Sequence, residues 1–159
     1  MSSAWVYDWL AGLALIATTI MIHALGLVLI SLGLERRMAL MHKRPGMSRA
    51  VFSATLLIGF AGWLLAILHG LDAAVWVWAW AYALLGAIGS VHAAMLYSVD
   101  CMATLGSTPV VVAPRWSLLG PLEGANGMLL FGVSTAFLFT IMGRVRQRLL
   151  VAEASAVEG

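Results

Sequence analysis

Three long apolar runs dominate the pattern of hydrophobic and polar positions along this chain. The first covers about Ala11–Leu34, the second runs from about Ala50 to His69, and the third covers about Leu118–Met142. A helix that crosses a bilayer needs roughly 20 consecutive, mostly apolar residues. The pattern therefore predicts three membrane-spanning helices.

The composition agrees with this prediction. Of the 159 residues, 62% are hydrophobic and 10% are charged, whereas soluble domains average about 45–50% and about 25%. The chain is thus expected to be an integral membrane protein, and its net charge of +2 gives no reason to expect a nucleic-acid partner. The sequence shows no nucleophile–base pair, phosphate-binding loop or zinc-ligand spacing, so we expect neither an enzyme nor a bound cofactor or metal.

The basic residues predict the orientation. Five of the nine lie in the loop after the first run, between Arg36 and Arg49, and three lie at 144–148, which leaves only Arg115 elsewhere. Because cytoplasmic loops carry an excess of Lys and Arg, we place this loop and the C-terminus in the cytoplasm. The N-terminus, with Asp8, is then outside, and three crossings satisfy the arrangement.

We divide the chain accordingly into three parts. Residues 1–48 form an N-terminal transmembrane helix with its basic loop, residues 49–148 form the main membrane domain, and residues 149–159 form a flexible tail. The aromatic run at Trp76, Trp78, Trp80 and Tyr82 is interpreted as a helical extension of the second span, because Trp and Tyr are enriched at membrane interfaces.

The segment Val91–Ala113 has to begin and end outside under this topology. Its first half is apolar, and "LGSTP" then breaks the helical pattern. We therefore predict a re-entrant segment, in which a short helix enters the membrane and an extended stretch returns. Irregular backbone at membrane depth persists only inside protein or beside water. One copy has too few helices to enclose the loop, so we predict an oligomer with the loops on its axis.

Two stretches carry a family resemblance. The pore helix and filter entrance of pore-loop potassium channels are similar to "AAMLYSVDCMATLG", and "WSLLGPLEGANGMLLFGVSTAFLF" resembles the inner helix of a small bacterial group of these channels. The resemblance implies an all-α homotetramer in the bacterial inner membrane, with monovalent cations passing along an axial pore. It also implies a gating hinge at Gly132, although packing alone is another explanation for this glycine.

The filter departs from the family pattern. Aligned on Gly106, the family's Tyr-Gly-Asp is replaced by Ser-Thr-Pro. A threonine in place of the second glycine would be strained at positive φ, and Pro109 restricts Thr108 to extended geometry. We therefore expect weak or altered cation selectivity. The predicted filter residues are Thr104, Leu105, Gly106, Ser107 and Thr108.

Polar residues beside the filter have alternative interpretations. Asp100 either attracts cations at the pore mouth or is hydrogen-bonded behind the filter, to Ser107 or to Trp116 of a neighbouring chain. Glu123 either braces the filter or binds an ion, because ionisable groups inside membranes are costly and often functional. Predicted to support or line the pore are Asp100, Glu123, Asn126, Ser134 and Thr135.

Two alternatives to a channel remain. A non-conducting membrane scaffold would keep the channel fold without a working filter and could belong to a larger membrane complex. In such a scaffold Leu129, Phe131 or Phe137 would close the axis. In a haem-bearing subunit, His23 and His69 would be the ligands. Counting along the spans at 1.5 Å per residue separates these two histidines by roughly 10–15 Å in depth, so we expect no haem.

Overall fold

The computed structural model describes residues 3–41, 47–69 and 76–157, and within these ranges every regular element is helical. In chain order the helices are α1 (Ser3–Met41), α2 (Met47–His69), α3 (Ala79–Leu84), α4 (Val91–Met102) and α5 (Leu119–Val157). Three stretches are long and apolar enough to cross a membrane: Trp5–Arg36, Val51–His69 and Pro114–Val151. The predictions of an all-α fold and of three spanning helices are confirmed at this level.

Two of the helices are longer than the apolar runs. α1 and α5 each have 39 residues, or about 58 Å at 1.5 Å per residue, against a hydrocarbon core of about 30 Å. α5 continues to Val157, so the part of the predicted tail from 149 to 157 is helical. The stretch "LLVAEASAV" contains neither glycine nor proline and is rich in Ala and Leu, which favour helix.

The chain forms two compact units. The first comprises Met1–Ala24 with Ile67–Gly132, and the second comprises Leu25–Ala66 with Val133–Gly159. Each unit thus takes part of α1, α2 and α5. This division does not coincide with the boundaries predicted at residues 48 and 148.

The first unit is centred on α3 and α4, which pack against each other. Trp78 and Tyr82 are fully buried in its apolar core, together with Ala94 and Leu119. Their burial corrects the interpretation of the aromatic run as interfacial, which fits only the half-exposed Trp76 and Trp80. The predicted helical connection to α2 falls on 70–75, outside the described residues. Within the described residues, α3 follows a π-helical turn at 76–78.

The second unit has a smaller apolar core. Leu34, Ala54, Leu57, Ala61, Ile141 and Val145 form it, contributed by α1, α2 and α5. At its surface the Arg144 guanidinium donates to the Glu35 carboxylate over 2.6 Å. Both side chains are nearly half exposed, and such surface pairs contribute only about 0–1 kcal/mol.

α4 and the loop that follows it begin and end beside the same turn, the one between α3 and α4. The Ser90 hydroxyl caps α4 by accepting from the Ala93 N–H, over 3.1 Å. Residues 105–113 are not helical, and the Ala113 N–H then donates to the Ala87 carbonyl over 2.9 Å. After the 3₁₀ turn Pro114–Trp116, the Trp116 indole donates to the Leu85 carbonyl over 3.2 Å. Both ends of the segment are therefore fixed beside the turn that precedes α4.

Candidate functional site

The C-terminal end of α4 is closed by two backbone hydrogen bonds. The Thr104 N–H donates to the Cys101 carbonyl and the Leu105 N–H to the Asp100 carbonyl, each over 3.0 Å. This pair of bonds is the Schellman motif, whose residue after the cap adopts a left-handed conformation and is usually glycine. Thr104 occupies that position with φ +55°. A β-branched residue at positive φ is strained, so the predicted filter begins at a strained residue.

Thr108 avoids positive φ as its position before Pro109 predicts, and the strained threonine is Thr104, which the sequence did not reveal. Thr108 is not among the residues with positive φ, and its hydroxyl accepts from the Val110 N–H over 3.3 Å. The reason is that Thr108 precedes Pro109, which favours extended backbone. Gly106, at φ +62°, is the filter residue whose conformation requires glycine.

Asp100 holds the start of the loop in place. Its carboxylate accepts from the Ser107 hydroxyl over 2.6 Å and from the Ser107 N–H over 2.8 Å. These hydrogen bonds from Ser107 hold the pKa of the Asp100 carboxyl below its usual range. Of the two interpretations of Asp100, this geometry matches the one behind the filter, with Ser107 of the same chain as the partner.

Glu123 joins three helices of the first unit. It is fully buried at the start of α5, and its carboxylate accepts from the Tyr82 hydroxyl of α3 over 2.7 Å and from the Ser98 hydroxyl of α4. The bracing role is thus the one that matches the contacts. Tyr82 and Ser98 were not predicted as site residues, and their spacing of 41 and 25 residues from Glu123 leaves no local signal in the sequence.

A glycine face lets α5 approach α4 closely. A Cβ added at Gly120 would overlap the Tyr97 hydroxyl, and one added at Gly127 would overlap the Met102 carbonyl oxygen. At Gly124 it would lie 3.2 Å from the Cys101 carbonyl oxygen. The spacing of four residues between Gly120 and Gly124 is typical of close helix contacts, and this contact positions the end of α4 directly against α5.

Asn126 forms a buried contact with α1. Its amide donates to the Thr19 hydroxyl of α1 over 2.8 Å, and both side chains are fully buried. It therefore does not line an open face of this chain, nor does it bind Glu123. The reason is that Thr19 offers a polar partner from α1, which the pattern of α5 alone does not reveal.

The two pore-lining candidates further along α5 differ in exposure. Ser134 is buried, whereas Thr135 is exposed.

The predicted hinge at Gly132 lies within a continuous helix. α5 remains helical through Gly132, and a Cβ there would meet nothing within 4 Å. Packing among the described residues of one chain therefore gives no reason for a glycine at this position, and the hinge stays a prediction.

The two histidines considered as haem ligands lie together. The ring centroids of His23 and His69 are 4.9 Å apart, and His69 stacks on Phe131 at 4.4 Å. The predicted difference in depth is wrong, because α1 remains helical to Met41. Measured along each helix from the loop between α1 and α2, the distances to the two histidines differ by only about four residues, or about 6 Å. Among the described residues, no group of three or more His, Cys, Asp and Glu side chains is placed to hold a metal ion.

The electrostatics at the end of α4 favour cations. The macrodipole of a helix gives its C-terminus a partial negative charge, and the ionised Asp100 adds to it. Ala103 to Ser107 are exposed in this chain, so this end of the helix is open to a ligand or to a neighbouring chain. A scan against protein-family models, a search of curated proteins and a search of solved structures each found no match for this chain.

Proposed function

We propose that this protein forms an oligomeric, weakly selective cation pore in a membrane, with the loop after α4 on its axis. The observation that carries the proposal is the loop itself. α4 ends in an exposed segment that is fixed by Asp100 and returns beside its own starting point. Resemblance to the pore-loop potassium channels motivates the tetramer, the bacterial inner membrane and the monovalent cations.

The physical argument for an axial position concerns the backbone of residues 105–113. These residues form neither helix nor strand, and their N–H and C=O groups need partners that lipid does not provide. Three or more further copies around an axis would supply protein and water on both sides of the loop. The carbonyl groups of Thr104–Gly106 would then face hydrated cations, as carbonyl rings do in channel filters.

Ion flux into liposomes tests this proposal. We expect purified protein to carry both potassium and sodium along imposed gradients, and native mass measurement to give a tetramer. Replacing Ser107 removes a partner of Asp100, so Ser107→Ala should change the ratio of the two fluxes. Ser117→Ala, an exposed position outside the loop, is the matched control. Flux of potassium alone would contradict weak selectivity.

A second candidate function is a non-conducting scaffold with the same fold. The observation in its favour is an exposed apolar face of α5, on which Met128 and Leu129 are 63% and 55% exposed while Asn126 is buried. If this face lines the axis, it closes the axis with apolar side chains. A confirmed tetramer without flux of either ion would support the scaffold and contradict the channel.

A further inference from the structure

An open groove lies in the second unit, between α2 and α5. Its volume is about 460 Å³, within the range of about 300–1,000 Å³ that is typical of small-molecule sites. Apolar side chains form most of its wall, and the main ones are Val51, Ile58, Phe139, Met142 and Leu149. Val51, Phe139 and Met142 are 48%, 68% and 47% exposed, so an apolar ligand has surface to cover.

One end of the groove carries a positive charge. Arg146 belongs to its wall, whereas Arg144 is paired with Glu35. Two residues along a helix correspond to a rotation of about 200°, so the two guanidinium groups leave α5 on nearly opposite faces. Among the side chains that the structure describes, no carboxylate forms an ion pair with Arg146.

The charged group and the apolar side chains follow one another along the axis of the groove. Arg146 lies one turn from Leu149, and Phe139 lies seven residues before Arg146, about 10 Å along α5. On α2, Val51 is in the first turns and Ile58 is seven residues further on. The groove therefore has one cationic end and an apolar floor that extends about 10 Å away from it.

The geometry points to a binding site for an anionic phospholipid, with its phosphate on Arg146 and an acyl chain along the apolar floor. Both walls belong to stretches apolar enough to span a membrane, so acyl chains surround them there. Basic pockets between transmembrane helices at the cytoplasmic side bind anionic head groups, and the orientation predicted from the basic residues puts Arg146 at that side. The inference does not depend on the pore.

Native mass measurement of the purified protein tests the site. Dioleoyl phosphatidylglycerol and dioleoyl phosphatidylcholine, which share their acyl chains, are each added to the protein in detergent. We expect the phosphatidylglycerol to bind more tightly. Arg146→Gln should weaken it about fivefold, the effect of one basic residue near an anionic surface. Arg148→Gln changes the same charge at an exposed position outside the groove and should leave affinity unchanged.

A second variant tests the apolar floor. Gly143 belongs to the wall, and a Cβ there meets nothing within 4 Å, so this position accepts the start of a side chain, and Gly143→Leu is chosen to occupy the groove while it keeps Arg146. It should weaken binding of both lipids. Three results would overturn the site. Arg146→Gln and Arg148→Gln could weaken phosphatidylglycerol binding equally, or Gly143→Leu could leave lipid binding unchanged. Inorganic phosphate could also compete for the site as well as the phospholipid does. A change in the number of chains with either groove variant would overturn the site as well, since a second copy would then be the occupant.

Discussion

Thr104 is the residue at which local backbone strain and the candidate pore coincide. Its φ of +55° belongs to a position that favours glycine. Thr104→Gly should therefore increase the free energy of unfolding by about 1 kcal/mol, since left-handed backbone costs a non-glycine residue about 1–3 kcal/mol. Unfolding in detergent, followed by circular dichroism, measures this.

Thr108 offers the matched control. It is the same residue type four positions on and has no positive φ, so Thr108→Gly gains nothing from strain relief. Glycine adds conformational freedom to the unfolded chain, and this variant should be destabilised by about 0.5–1 kcal/mol. Equal effects of the two substitutions would contradict strain at Thr104.

Asp100 makes stability depend on pH. The carboxyl pKa is lowered in the folded protein by the bonds from Ser107, so folding favours the ionised form. The resulting stabilisation is fully present above the unfolded pKa of about 4 and is lost as the pH falls through the lower pKa of the folded state. Melting temperatures from pH 6 down to pH 3 should fall more for the wild type than for Asp100→Asn. Parallel curves would rule out this linkage.

The Glu123 network connects α3 and α4 to α5. Glu123→Leu would leave the buried Tyr82 hydroxyl without this acceptor, at about 1–3 kcal/mol. We expect the free energy of unfolding to fall by an amount in this range. Glu123→Gln retains an acceptor oxygen and should lose less than half as much. Glu153→Gln, at an exposed position on the same helix, should be neutral.

Packing of α5 on α4 depends on individual glycines. Gly127→Ala places a methyl group on the Met102 carbonyl oxygen, and such overpacking costs about 1–3 kcal/mol. Gly132→Ala meets open space and should be stabilised by up to about 1 kcal/mol through helix propensity. Denaturant titrations of both variants measure the difference. Destabilisation by Gly132→Ala as large as that by Gly127→Ala would show that the packing assignment is wrong.

The sequence predicted the elements better than it predicted their partners. Long apolar runs identify spanning helices because each crossing needs about 20 apolar residues, and glycines spaced by four residues identify a close helix contact. Tyr82 and Asn126 find their partners on helices distant in sequence, which no local pattern encodes. The histidines were misplaced because depth was counted from the ends of apolar runs, whereas α1 extends beyond its run.

The topology of the whole chain is open to a labelling test. In a Cys101→Ser background, single cysteines replace the exposed His92, Ser117 and Glu153. The predicted topology places the first two outside and the third in the cytoplasm. A membrane-impermeant maleimide added to intact spheroplasts should then label the positions 92 and 117, and label 153 only after lysis. Opposite labelling of 92 and 117 would contradict a re-entrant segment.

The bonds to Glu123 also set an order of events during synthesis. Tyr82 precedes Glu123 by 41 residues, which at 5–20 residues per second corresponds to roughly 2–8 s of translation. Until Glu123 leaves the ribosome, the Tyr82 hydroxyl of α3 lacks this acceptor in the nascent chain. We therefore expect α3 and α4 to remain beside water or the insertion machinery until α5 has been synthesised, and α5 then completes their fold.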